Sequence, residues 1–138
     1  MRLLLDINVW LDPVFQRPGE PASSALIASC GKQHELWLAW HSLATLAYLI
    51  ERQGSAAKAR AFIHGLLAFA QVAPTTHADA VAALSWAMPN YEDALQAAAA
   101  LSCGAAWIIT RNLQDFTASP VPALTPEEFL ARFPLTPP

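Results

Sequence analysis

With 138 residues, 54% of them hydrophobic and only 14% charged, the chain is long enough for one domain with a sizeable core and too apolar to be disordered. A net charge of −3 excludes a broad basic surface, so a nucleic-acid partner would need a local patch or a bridging metal. No uncharged apolar stretch reaches the ~18 residues of a membrane span without helix-breaking or polar residues, and Asp6 interrupts the first apolar run, so neither a span nor a signal peptide is expected and the expected compartment is the cytoplasm.

In chain order, Leu3-Leu4-Leu5 reads as a first strand ending at Asp6, after which residues 6–12 leave the sheet in a helical pattern. Residues 15–20, among Pro13, Pro18 and Gly19, are loop, and residues 22–30 an amphipathic helix stopped by Gly31. A second strand covers residues 35–40, and Ser42 caps a helix to about residue 52. Gly54 separates it from a helix at residues 55–70; Val72-Ala73 is a very short strand, and Thr76 opens a helix at residues 78–87. Asn90 is a good N-cap, with Glu92 and Asp93 in the first turn where the helix dipole favours negative charge. Residues 94–103 carry no charge and no proline and suit a buried helix, ended by Cys103-Gly104. Residues 105–110 (AAWIIT) form a strand buried on both faces, and residues 111–115 leave the sheet. A small strand at 121–124 and a helix at 126–133, with proline in its first turn, precede a loose tail, residues 134–138. Cys30 and Cys103 read as reduced core thiols, and the five tryptophans mostly as core, with Trp10 the one expected near a site or interface. This alternation predicts one α/β domain over residues 1–138 with a mainly parallel sheet of four or five strands.

Three features meet at one edge of such a sheet. Asp6 follows the first strand, Asn112 and Asp115 follow the 105–110 strand, and Asp93 opens the helix that runs back into that strand. Open α/β sheets place ligands beyond the carboxyl ends of their strands. Gathered carboxylates repel one another, and a hard divalent cation such as Mg²⁺ or Mn²⁺ resolves the conflict. Such an ion can activate water and stabilise the anionic oxygens of a phosphodiester. Each residue has a structural alternative: Asp93 as a dipole residue, Asp6 in an Asx-turn, Asp115 as a turn cap, Asn8 and Asn112 as loop residues. Spacing alone leaves both open. Glu92, Asp12 and Glu51 read as surface charges. The four histidines lack metal-ligand spacing, and there is no phosphate-binding glycine loop and no GxSxG.

LLLDINVWLD at the start, YEDALQAAAA, WIITRNLQDF and the terminal PALTPEEFL together resemble the PIN domain, in order and over nearly the whole chain. They are most similar to the branch reading D-x-N-V-x-L-D, E-D-A, T-R-N-x-x-D-F and T-P-x-E-F. The resemblance implies a three-layer α/β/α sandwich and a metal-dependent ribonuclease. Many small bacterial and archaeal members are VapC-type toxins of type II toxin–antitoxin pairs, which dimerise and are inhibited by a small antitoxin seated in the site. Matched residue by residue, Asp6, Asp93 and Asp115 fall on the family's acidic metal-binding positions. Asn112 falls where many relatives carry another aspartate, and Asn8 on the polar position of the opening motif. In one departure, Thr45 stands where the family commonly has a glutamate; its hydroxyl can hold a metal-bound water but brings no charge. Glu51, about 9 Å further along the helix on another face, is a poor substitute.

The expected function is therefore a Mg²⁺- or Mn²⁺-dependent endoribonuclease with RNA as substrate, a cognate antitoxin, and a homodimeric state that the apolar composition also suits. Asp6, Asp93 and Asp115 ligate metal; Asn8, Asn112 and Thr45 orient waters or neighbouring carboxylates. Arg111 is read either as a phosphate contact or as a structural ion pair. His41 and Ser42 follow the second strand and line the pocket. The second reading is a PIN-like module that binds RNA or protein without cleaving, favoured by the missing glutamate and low basicity. A third, a phosphotransfer domain with Asp6 as acceptor, lacks a lysine after Lys58 to pair with the phosphoryl group.

Overall fold

Leu3, Leu4 and Leu5 are fully buried, which requires cover on both faces of the strand that carries them. In the computed structural model, which describes residues 1–137, this strand, β1 (Arg2–Leu5), is the centre of the sheet. The others are β2 (Glu35–Leu38), β3 (Gln71–Val72), β4 (Trp107–Ile109) and β5 (Ala123–Leu124), in the order β3-β2-β1-β4-β5 with every neighbouring pair parallel. Leu4 lies opposite Trp37 on one side and Ile108 on the other, so the register sends alternate residues of three strands to the same face.

The helices among the described residues are α1 (Ile7–Val14), α2 (Glu20–Ala28), α3 (Trp40–Gln53), α4 (Ala56–Leu67), α5 (His77–Ala83), α6 (Tyr91–Ser102) and α7 (Pro126–Arg132), with a 3₁₀ turn at Leu113–Phe116. Leu3, Leu5, Leu36, Leu38 and Ile109 pack with Leu11, Leu26, Leu46, Leu66 and Phe129 of α1, α2, α3, α4 and α7. Leu4 and Ile108 face the opposite way, onto Ala97, Ala99 and Ala100 of α6. Ala83 of α5 closes on Ala94 and Ala98 of α6. The result is the expected α/β/α sandwich around a five-stranded parallel sheet.

Local chemistry sets the helix starts. Asn90 Oδ1 accepts the Asp93 N–H at 2.9 Å, and capping boxes open α5 (Thr76 with Asp79) and α7 (Thr125 with Glu128). Each such cap contributes about 1 kcal/mol. Gly104 ends α6 with φ +69°, in the left-handed region that glycine enters without strain.

The sequence reading placed several boundaries differently. The second strand stops at Leu38, because Ala39 is extended as the N-cap of α3 and Trp40 is already helical. Ser42 is therefore not the cap: it is fully buried inside the first turn and accepts a 2.8 Å hydrogen bond from Gln96 Nε2. Trp10 is core, with its indole N–H bonded to the Leu5 carbonyl, whereas Trp40 is 70% exposed. The second helix ends at Ala28, and Cys30 bridges to His34 instead. Beyond α7, Gln33 donates to both the backbone oxygen and the hydroxyl of Thr136; of the tail, Pro138 lies outside the described residues.

Candidate functional site

The carboxyl ends of β1 and β4 bring the first carboxylate into place. The Asp6 N–H bonds to the Ile109 carbonyl at 2.9 Å, continuing the β1–β4 pairing by one residue. Its side chain caps α1, accepting from the Ile7 N–H at 2.8 Å through Oδ1 and from the Thr110 hydroxyl at 2.9 Å through Oδ2. Asp6 is only 5% exposed. Burial pushes its pKa up from 3.8 to about 6; the two hydrogen bonds oppose the rise, and the charges of Asp93 and Glu92 add to it. Asp93, half-buried in the first turn of α6, is also raised, first by burial and then by Asp115 and Glu92, while the hydrogen bond from Asn90 opposes. Asp115 is carried by the 3₁₀ turn, its N–H bonded to the Asn112 carbonyl at 3.0 Å.

The three expected carboxylates thus share one edge and act on one another electrostatically. Glu92 is exposed, as expected of a surface charge, and its charge adds to the field at Asp6, Asp93 and His41. Thr45 lies half-buried one turn beyond Ser42 on α3. Asn8 Oδ1 accepts from Arg17 at 2.9 Å, and the Asn112 N–H is held by the Thr110 hydroxyl at 3.1 Å, leaving the Asn112 side chain exposed.

Arg111 has a different place from the phosphate contact considered above. Its Nε donates to Asp12 at 3.0 Å, one terminal nitrogen to Glu127, and the other to the Gly19 carbonyl at 2.8 Å and the Ser23 hydroxyl at 3.0 Å. Asp12, also read as a surface charge, is 3% exposed and accepts from Ser23 at 2.6 Å. The guanidinium is a structural clamp that ties the exit of β4 to α1, α2 and α7. Four of its five N–H donors are engaged in this way.

The donor set at the edge is all oxygen, which suits a hard, hydrated cation. Among the described residues no group of three or more Asp, Glu, His or Cys side chains is placed to hold a metal ion by itself. Mg²⁺ is commonly held by one or two carboxylates with water completing its shell, so the arrangement fits such an ion and does not fit a protein-only zinc cage.

The profile of a family described as PIN domain matches residues 2–114. The chain belongs to the PIN domain family. PIN domains are in general nucleases and in general use divalent metal ions. No curated protein sequence matches the chain. Among solved structures it is similar to VapBC-1 from nontypeable Haemophilus influenzae (TM-score 0.72, 18% identity, covering 92% of this chain and 99% of that one). It is also similar to VapBC2 from Rickettsia felis bound to a DNA fragment from their promoter (0.69, 15%, 91% and 98%) and to FitAcB from Neisseria gonorrhoeae (0.68, 20%, 91% and 98%). At these identities the likeness carries the PIN fold. No helix among the described residues is long and apolar enough to cross a membrane.

Proposed function

We propose that this PIN domain is a metal-dependent endoribonuclease, the toxin of a type II toxin–antitoxin pair, working in the cytoplasm. The observation that carries the reading is Asp6: a carboxylate 5% exposed, raised to about 6, and facing two further acids. Asp6 caps α1 through two hydrogen bonds, yet burial and the neighbouring acids outweigh them and oppose its charge. A cation bound there reverses both penalties.

Asp6, Asp93 and Asp115 would hold Mg²⁺ or Mn²⁺, directly or through water, and the ion when bound would supply water activation and charge stabilisation at a phosphodiester. The chain's own part is to fix the acids. Thr110 and the α1 N-terminus hold Asp6, Asn90 holds Asp93, and the 3₁₀ turn holds Asp115. Asn8 and Asn112 orient water at the rim, Asn8 steadied by Arg17. Thr45 contributes a hydroxyl and no charge, and Glu92 supplies additional negative charge at the edge. An antitoxin partner is supported by the VapBC neighbours, and a homodimer by the exposed apolar side chains Val81, Leu84 and Leu101.

The test is cleavage of mixed RNA by purified protein with Mg²⁺ or Mn²⁺ and with EDTA, beside Asp93→Asn. Cleavage that needs both metal and Asp93 supports the reading. The open arrangement of the acids and the absence of charge at Thr45 favour, as second reading, a module that binds RNA without cutting it. A folded protein that retains RNA and never cleaves it would establish that alternative.

A further inference from the structure

Beyond β2 and β3, on the same carboxyl edge as the acids, lies a cleft of about 150 Å³ that the reading above does not use. Its floor is Ala98 and Ala99 of α6, and its walls include Trp40, His41, Thr75, Thr76 and Asp79. Trp40 is 70% exposed, although an indole of this size is ordinarily covered. The His41 ring is half-buried, and its Nε2 has no hydrogen-bond partner. That nitrogen is enclosed by the protein and does not open onto the cleft. Trp40 and His41 follow β2 as Asp6 follows the neighbouring strand β1, so the cleft and the carboxylates lie side by side along one edge of the sheet.

We propose that this cleft receives one unstacked nucleobase of the RNA, beside the phosphate at the carboxylates, with Trp40 as the stacking face and His41 as the group that reads the base edge. The proposal rests on the ribonuclease reading for its substrate. Its chemistry follows from the lining. No lysine or arginine lines the cleft and Asp79 does, so a phosphate is disfavoured there. Asp79 is already committed to the α5 cap, accepting from the Thr76 N–H at 2.8 Å and its hydroxyl at 3.2 Å. A flat, uncharged heteroaromatic ring matches what is left. Single-stranded nucleic acid is commonly held by stacking on such aromatic faces. Burial lowers the His41 pKa against the pull of Glu92, which favours the neutral ring. With Nε2 enclosed, one nitrogen of the neutral imidazole is left to meet a base edge, as donor or acceptor according to the tautomer.

The experiment has two arms. In the first, a library of short single-stranded RNAs is cleaved by the wild type, Trp40→Ala, Trp40→Phe and His41→Ala. The preferred base at one position next to the cut is expected to lose about 5- to 150-fold in kcat/KM on Trp40→Ala, flattening the preference, with Trp40→Phe restoring most of it. His41→Ala is expected to change which base is preferred. In the second, labelled oligoribonucleotides carrying an abasic nucleotide at successive positions are bound to Asp93→Asn protein, with and without Trp40→Ala. One abasic position should weaken binding when Trp40 is present and have no effect when it is absent. If no abasic position depends on Trp40, the cleft is not a base site, whatever the cleavage arm shows. If that dependence is found but no RNA is cut, the base site stands and the nuclease reading fails. If Trp40→Ala converts a dimer to monomer and leaves base preference intact, Trp40 is an interface residue and the proposal is overturned.

Discussion

Replacing Asp6 by asparagine removes a buried charge while keeping the shape of the side chain. The rise of the Asp6 pKa from 3.8 to about 6 corresponds to about 3 kcal/mol of stability lost by the metal-free protein at neutral pH. The direction follows from linkage: the folded pKa lies above the unfolded one, so stability is undiminished below about 3.8 and falls as pH rises through about 6. Asparagine keeps the acceptor for the Ile7 N–H but presents an amide to Thr110, whose hydroxyl already accepts from the Asn112 N–H. That mismatch costs about 1 kcal/mol, leaving a net gain of about 2 kcal/mol. In EDTA at pH 7.5, Asp6→Asn should therefore melt about 6–8 °C above the wild type, and the gap should close by about pH 4. Saturating Mg²⁺ should raise the wild type and leave the variant where it is. Thermal melts by circular dichroism read all three effects. An unchanged Tm, or a gain that persists at pH 4, would refute the assignment of Asp6 as a strained, buried carboxylate.

Arg111→Ala strands Asp12, which is 3% exposed, and should cost about 3–5 kcal/mol in urea unfolding; Arg111→Lys should recover little, because one ammonium cannot serve Asp12, Glu127, Gly19 and Ser23 together. A phosphate contact would instead spare stability and weaken RNA binding. Asn90→Ala should cost about 1 kcal/mol in the same assay and loosen Asp93, measured as weaker Mn²⁺ binding. Gln96 is fully buried with an unpaired Oε1, so Gln96→Leu combined with Ser42→Ala should be neutral or stabilising by about 1 kcal/mol, whereas Gln96→Ala alone should destabilise by about 2–3 kcal/mol.

The parts of the fold that were legible in the sequence are those written locally. The Asn90 cap, the uncharged run after Asp93 and the turn at Gly104 each declare themselves within a few residues, and the structure places α6 and β4 there. Short apolar runs are ambiguous between strand and helix, and ELWLAW was divided wrongly for that reason: Trp40 fits either period, and only the tertiary setting makes it the exposed first residue of α3. The carboxylate edge followed from topology, since a parallel sheet puts the residues after β1 and β4 on one edge, while the pairing of those two strands is seen only in the structure. The Arg111 clamp did not, because its partners lie as far as 99 residues away and no local pattern marks Asp12 as buried.

The measurement that bears most directly on the acidic edge is Mn²⁺ binding to the purified protein, followed by electron paramagnetic resonance on the wild type, Asp6→Asn and Asp93→Asn. The account predicts saturable binding to the wild type at pH 7.5, weakening as pH falls through about 6 and lost in both variants. Absence of saturable binding by the folded wild type, or binding that survives both substitutions, would contradict it.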